Sequence, residues 1–112
     1  MITIWHNPRC SKSRQTLALV EEKGDVKERR YLDDAPTLTE LMDVQSLLGV
    51  SAIAMMRTKE ALFKDLGLSK TDDDATLLAA MAQNPKLIER PIVIANGKAA
   101  IGRPPESVLN IL

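Results

Sequence analysis

The sequence contains one cysteine, Cys10, and its neighbours are residues that could activate a thiol. A thiol attacks as its thiolate, and a free thiol, with a pKa of roughly 8.5, is mostly protonated at neutral pH unless its surroundings favour the anion. Ser13 could donate a hydrogen bond to the sulfur. Basic groups stand on both sides of the cysteine, at His6, Arg9, Lys12 and Arg14. Residues 6–14 therefore combine a nucleophile with a local concentration of positive charge.

This segment lies where a strand is predicted to end and a helix to begin. Asn7-Pro8 ends the strand because proline cannot donate to a strand ladder. The amides of the first helical turn, from Ser11 on, have no acceptor within the helix, and the helix dipole adds positive charge there. Both features favour a thiolate and can bind a phosphate-like oxyanion. A lone cysteine is often a small buried core residue instead, but the polar, proline-bounded loop argues against that interpretation.

Several other kinds of reactive site are excluded by the pattern. The loop is C-x-x-S, so there is no second cysteine for a C-x-x-C pair. A C-x5-R phosphatase loop would need arginine at position 16, where this chain has Thr16. The sequence has no glycine-rich phosphate loop and no cluster of His, Cys and carboxylate residues with metal-ligand spacing. No metal site and no cofactor-binding site are therefore predicted.

Strands and helices alternate at the start of the chain. The pattern predicts a strand over residues 2–5, a helix over 11–23 with Gly24 as its left-handed C-terminal cap, and a charged strand over 26–32. Thr37 and Glu40 match a capping box that begins a second helix, and Gly49 ends it. Further helical segments are predicted over residues 51–57, 60–66 and 72–83. A strand–helix–strand start implies a parallel strand pair with a right-handed crossover.

The last part of the chain predicts a hairpin and a helix. Residues 91–95 and 98–101 are apolar segments joined by Asn96-Gly97, which is a type I′ turn signal. Pro104-Pro105-Glu106 suits the first turn of a helix whose apolar residues would pack inward, namely Val108, Leu109 and Leu112. The order of elements is that of an α/β, thioredoxin-like fold, with a mixed sheet, βαβ and ββα halves, and a helical insertion between the halves.

Composition limits the class of protein. The 112 residues, 45% of them hydrophobic, suit a single domain over residues 1–112. Fifteen basic and fifteen acidic residues cancel, and three aromatic residues are too few for a stacking platform, so no nucleic-acid partner is expected. No apolar run approaches the length of a membrane span or a leader, so a soluble cytoplasmic protein is expected. Small size and neutral charge are compatible with a monomer, which we expect.

The motif H-N-P-x-C-x-x-S after an initial strand resembles the glutaredoxin-coupled arsenate reductase family. The resemblance continues through the helical segments to residues 89–93, Glu-Arg-Pro-Ile-Val, and to Gly102-Arg103-Pro104, so it covers essentially the whole chain. Three motifs in this order and at these separations are far more specific than the cysteine loop alone.

The resemblance implies roles for particular residues. Cys10 would be the nucleophile, His6 the neighbour that favours its thiolate, and Ser13 a hydrogen-bond donor to the sulfur. The substrate pocket would be formed by three arginines, Arg57, Arg90 and Arg103. Such guanidinium groups can hold an oxyanion through paired hydrogen bonds. The resemblance also implies a cis peptide bond before Pro91.

The implied reaction reduces arsenate to arsenite. The Cys10 thiolate would attack arsenate and form a covalent adduct. Because the chain has no resolving cysteine, glutathione as cosubstrate would attack this adduct, and glutaredoxin would complete the reduction. Arsenate or a related oxyanion, glutathione and glutaredoxin are therefore the expected partners, and the protein itself would bind no cofactor.

Two alternatives remain open at this point. A C-x-x-S loop on a thioredoxin-like fold also suits a glutathione-linked thiol-disulfide reductase. Ser11-Lys12 after the cysteine and Arg9 before it differ from the best-characterised family members, which leaves room for that activity. An RNA-polymerase-binding redox regulator of the same fold is the alternative from another class, although such regulators typically carry C-x-x-C.

Overall fold

The computed structural model describes all 112 residues, and the chain divides into two compact units. The first unit contains Met1–Asp34 and Arg90–Leu112, and the second contains Ala35–Glu89. The single domain expected over residues 1–112 stays a prediction. No helix combines the length and apolar character that crossing a membrane requires.

The first unit is built on a mixed four-stranded sheet. Its strands are β1 (Ile2–Trp5), β2 (Val26–Arg29), β3 (Ile92–Ala95) and β4 (Lys98–Ile101), in the spatial order β2-β1-β3-β4. β1 pairs with β2 in parallel and with β3 antiparallel, and β3 and β4 form an antiparallel hairpin. The parallel pair and the hairpin confirm the two halves of the predicted sheet.

Helix α1 (Ser11–Glu21) and a C-terminal 3-10 helix (Pro105–Ile111) supply the buried side chains that pack on this sheet. The core contains Ile4 and Val93 from the strands, Val20 from α1 and Val108 from the 3-10 helix, all fully buried. Burying side chains of this kind contributes about 1.5–3 kcal/mol each. This core holds α1 on the sheet through Val20 in its last turn, and the cysteine lies at the opposite, N-terminal end of the helix.

Local signals set the hairpin and the main helix of the second unit. Asn96 and Gly97 both have positive φ, 56° and 71°, as the predicted type I′ turn requires. Helix α2 (Leu38–Leu48) begins with the predicted capping box of Thr37 and Glu40 and ends at Gly49 in the left-handed conformation. These three predictions are confirmed.

The rest of the second unit is helical, and one carboxylate links three of the helices of this unit. A 3-10 helix (Ala52–Met55), α3 (Ala61–Asp65), α4 (Asp74–Gln83) and a second 3-10 helix (Pro85–Leu87) follow α2. Asp74 accepts hydrogen bonds from the Gln45 side chain, at 2.8 Å, and from the Ala52 amide, at 3.1 Å. The helical segments predicted over residues 51–57 and 60–66 are present but shorter than predicted, at Ala52–Met55 and Ala61–Asp65.

Two predicted boundaries in the first unit are wrong. Helix α1 ends at Glu21 with Glu22 as its right-handed C-cap, so Gly24 is not the cap. Strand β2 ends at Arg29 and not at residue 32, because the Arg30 carbonyl accepts hydrogen bonds from the amides of Asp33 and Asp34 and turns the chain. Neither the helix end nor this turn carries a strong local signal.

The last helix differs from its prediction in type and in orientation. In a 3-10 helix, residues three apart lie on one face. Pro105 and Val108 are buried and Ile111 is partly buried, whereas Leu109 is 38% exposed. Packing of every third residue on the sheet thus replaces the α-helical face that would have placed Leu109 inward.

Candidate active site

Cys10 is the N-cap residue of α1. Its backbone is extended, with φ −97° and ψ 122°, and its carbonyl accepts a hydrogen bond from the Arg14 amide at 3.0 Å. No side chain caps the first-turn amides and no acidic residue lies in that turn. The positive end of the helix dipole is therefore not neutralised locally. The partly exposed thiol of Cys10 lies at this end.

The loop before the helix is ordered by its own hydrogen bonds. The Asn7 carbonyl accepts from the Cys10 amide at 3.0 Å, and the Asn7 Oδ1 accepts from the Arg9 amide at 3.0 Å. Arg14 Nη1 donates to the Pro8 carbonyl at 2.9 Å. These bonds fix the course of the backbone on the N-terminal side of the thiol.

His6 and Ser13 form a buried pair beside this loop. His6 Nδ1 lies 2.7 Å from Ser13 Oγ, which also accepts a hydrogen bond from the Asn7 amide at 3.0 Å. Burial lowers the pKa of His6; the charge of Glu28 opposes this shift, and the positive charges of Arg30 and Arg14 add to it. This shift favours the neutral imidazole over the imidazolium, and the predicted role of His6 toward the thiolate stays a prediction. The Ser13 hydroxyl is thus paired with His6. The predicted hydrogen bond from Ser13 to the sulfur stays a prediction.

Arg103 is brought to the thiol from the far end of the chain. Its Nη2 lies 3.6 Å from Cys10 Sγ, and its Nε donates to the Arg90 carbonyl at 2.8 Å. The first unit thus brings together Cys10, Arg103 and the backbone of Arg90. A thiolate or an oxyanion bound to the sulfur would face a planar guanidinium that is already held in place.

Gly102, the residue before Arg103, packs closely against Thr16 of α1 and against Pro91. It is buried, and its amide donates to the Pro91 carbonyl at 2.9 Å. A Cβ built on Gly102 would lie 2.6 Å from Thr16 Oγ1 and 2.8 Å from Pro91 Cγ, closer than real Cβ contacts. In the sequence, Gly102 stands out only as part of the Gly102-Arg103-Pro104 motif, because its close packing involves Thr16 and Pro91, which are distant in the chain. The Arg90-Pro91 bond is cis, as expected, and so is Arg103-Pro104.

Arg57 lies in the second unit. Its guanidinium pairs with Glu60 at 2.8 Å, and Glu60 also lies 3.7 Å from Lys86. Its amide donates to the Leu87 carbonyl at 2.8 Å. The assignments of Arg57 and of the Arg90 side chain to a substrate pocket stay predictions.

The described residues include no group of three or more His, Cys, Asp or Glu side chains that could hold a metal ion. What they do provide is a partly exposed thiol at a helix N-terminus with a guanidinium beside it. This arrangement can carry out nucleophilic attack on a bound oxyanion and stabilise the charge that develops on its oxygens.

Comparison with known proteins identifies the family. Residues 5–111 match the model of the ArsC family. The chain belongs to the ArsC family. A relative named arsenate reductase, from Neisseria meningitidis serogroup A, is 54% identical over 99% of this chain and 97% of its own length.

Two solved structures are similar over nearly their whole length. An arsenate reductase from Vibrio cholerae has a TM-score of 0.94 and 52% identity, covering 99% of this chain and 97% of that one. A protein described as a putative arsenate reductase, from Yersinia pestis, has a TM-score of 0.92 and 53% identity, covering 99% and 100%. The predicted α/β, thioredoxin-like fold of the ArsC type is therefore confirmed.

Proposed function

We propose that this chain is an arsenate reductase that forms a covalent adduct on Cys10 and draws its electrons from glutathione and glutaredoxin. The contact between Arg103 Nη2 and Cys10 Sγ, at 3.6 Å, supports the proposal, because a guanidinium beside the thiol could hold an oxyanion there. The names of the Neisseria and Vibrio relatives support the choice of arsenate as the oxyanion.

In the first step, the Cys10 thiolate attacks the arsenic of bound arsenate. A sulfur–arsenic bond forms, an arsenic–oxygen bond breaks, and the oxygen leaves as water after taking up protons. Arg103 and the first-turn amides of α1 would stabilise the negative charge on the remaining oxygens. Arg90 is proposed as a further donor to the same oxygens. Ser13 is proposed as a donor to the thiolate, in the tautomer in which His6 Nδ1–H donates to Ser13 Oγ and leaves the hydroxyl proton free.

The reduction needs thiols that the chain does not contain. Cys10 is its one cysteine, so a second sulfur must come from outside to complete a disulfide. Arsenate plus two thiols gives arsenite, one disulfide and one water, so arsenic gains the two electrons that the two sulfurs lose. Glutathione and the thiol of glutaredoxin are proposed as these two thiols. In this proposal thiols supply all the electrons, so the protein itself binds no cofactor. A reducing cytoplasm would keep those thiols reduced.

The test is arsenite formation from arsenate by the purified protein with glutathione, glutaredoxin and an NADPH-linked reductase. We expect turnover that is lost in Cys10→Ser and kept in Ser46→Ala, a matched change on the exposed face of α2. Omission of glutathione should also stop turnover.

Absence of arsenite formation by the folded, reduced protein would refute the proposal. In that case, reduction of a glutathionylated protein would be measured next, because the thiol-disulfide reductase remains the nearest alternative. Binding of RNA polymerase that survives Cys10→Ser would instead indicate the regulator.

A further inference from the structure

A cleft lies beside the cysteine loop, entirely within the first unit. One wall consists of residues 6–9 and the other of Arg30, Leu32 and Asp33 from the turn after β2. Its volume is about 350 Å³, which falls within the range of roughly 300–1,000 Å³ typical of small-molecule sites. Of the residues that line it, only His6 has a role in the proposed mechanism.

Both walls of the cleft are ordered by hydrogen bonds. The His6 amide donates to the Arg29 carbonyl at 2.8 Å and ties the end of β1 to the end of β2. On the opposite wall, the Arg30 carbonyl accepts from two amides of the turn, and Arg29 Nε lies 3.3 Å from an Asp34 carboxylate oxygen. A ligand would therefore meet a site whose backbone is largely preformed, which lowers the cost of binding.

The side chains of the cleft indicate the kind of molecule that would fit. Arg9 and Arg30 offer two exposed guanidinium groups, Asp33 offers one exposed carboxylate, and the side chain of Leu32 is 43% exposed. Two cations and one anion complement a molecule with two carboxylates and one ammonium group. Arg30 lies close enough to the other wall for its charge to lower the pKa of His6.

The position of the cleft relative to the nucleophile limits the ligand further. Arg9 directly precedes Cys10, and consecutive Cα atoms are about 3.8 Å apart. The cleft lining therefore ends one residue before Cys10, and a tripeptide, which extends to about 10 Å, is longer than that step along the backbone.

We infer that this cleft binds the small thiol that attacks the Cys10 adduct, a zwitterionic tripeptide with two carboxylates, for which glutathione is the probe. The inference rests on the proposed function and adds a site to it. In the step concerned, the thiol sulfur forms a bond to arsenic, an arsenic–oxygen bond breaks, and the hydroxyl leaves as water with the thiol proton. No electrons are transferred in this substitution.

The first experiment is steady-state kinetics of Arg30→Gln with glutaredoxin saturating. Losing one partly screened, charged hydrogen bond should raise the KM for glutathione about tenfold, while the KM for arsenate changes less than about twofold. Lys27→Gln, which removes an exposed cation from β2 outside the cleft, is the matched control and should leave both KM values in place. An unchanged KM for glutathione, or an equal rise in both KM values, would overturn the inference.

The second experiment measures binding without turnover. S-methylglutathione, which cannot react, is titrated into Cys10→Ser while backbone amide signals are followed by NMR. We expect saturable shifts at residues 6–9 and 30–33, and weaker binding when Arg30→Gln is added. Shifts elsewhere, or none at millimolar concentration, would overturn the site. Saturable binding here together with no arsenite formation would support the cleft and refute only the proposed function.

Discussion

Gly102 is packed so closely that adding one methyl group to it should disturb the active site. The new Cβ of Gly102→Ala would lie 2.6 Å from Thr16 Oγ1 and 2.8 Å from Pro91 Cγ. Neither neighbour can yield easily, because Pro91 is a buried ring and Thr16 is buried with its hydroxyl donating to the Lys12 carbonyl at 2.8 Å.

The expected cost follows from these contacts. Overpacking of a dense interior costs about 1–3 kcal/mol, and loss of the Thr16 hydrogen bond adds about 1 kcal/mol. We therefore expect the free energy of unfolding to fall by about 2–4 kcal/mol. For a chain of this size, that corresponds to a Tm lower by very roughly 8–16 °C. Because Arg103 follows directly, arsenite formation should fall as well.

The assay is urea denaturation of the parent, Gly102→Ala, Thr16→Ala and the double variant. Removing the Thr16 side-chain atoms should relieve part of the clash, with a coupling energy of at least about 1 kcal/mol. Gly67→Ala is the control: it has open space but a φ of +71°, so its cost is conformational and Thr16→Ala should not relieve it. If Gly102→Ala unfolds within about 0.5 kcal/mol of the parent, the packing argument is wrong.

Three further predictions concern charge and hydrogen bonding. His6 is the one histidine, so its ring signals can be followed alone in an NMR titration, and we expect a pKa below 6.5. The unfolded chain then binds more protons than the folded one, so the free energy of unfolding should fall as pH drops below 6.5. A pKa at or above 6.5 would contradict the burial argument. Arg103→Ala should lower kcat/KM for arsenate about 100-fold with little change in Tm, because Arg103 is exposed; an equal loss of stability would point to a structural role. Asp74→Ala should lower the free energy of unfolding, measured by urea denaturation, by about 1–3 kcal/mol, because two donors lose their acceptor. Asp43 is exposed on α2, and Asp43→Ala should leave the free energy of unfolding nearly unchanged.

Features with short-range causes were predictable from the sequence. The Thr37 and Glu40 capping box and the Asn96-Gly97 turn depend on residues that are neighbours along the chain, and both are present. The same holds for Cys10 at the start of a helix, because the proline before it and the apolar spacing after it are local signals. The family resemblance followed from motifs in the sequence and is confirmed.

Features with long-range causes were decided only by the tertiary structure. Arg103 and Cys10 are 93 residues apart, and their contact depends on β1 and β3 pairing in one sheet. Whether residues 105–111 coil as an α-helix or a 3-10 helix depends on which side chains the sheet accepts. The hydroxyl of Ser13 is held by buried His6, so its partner was set by packing and desolvation, which no local pattern encodes.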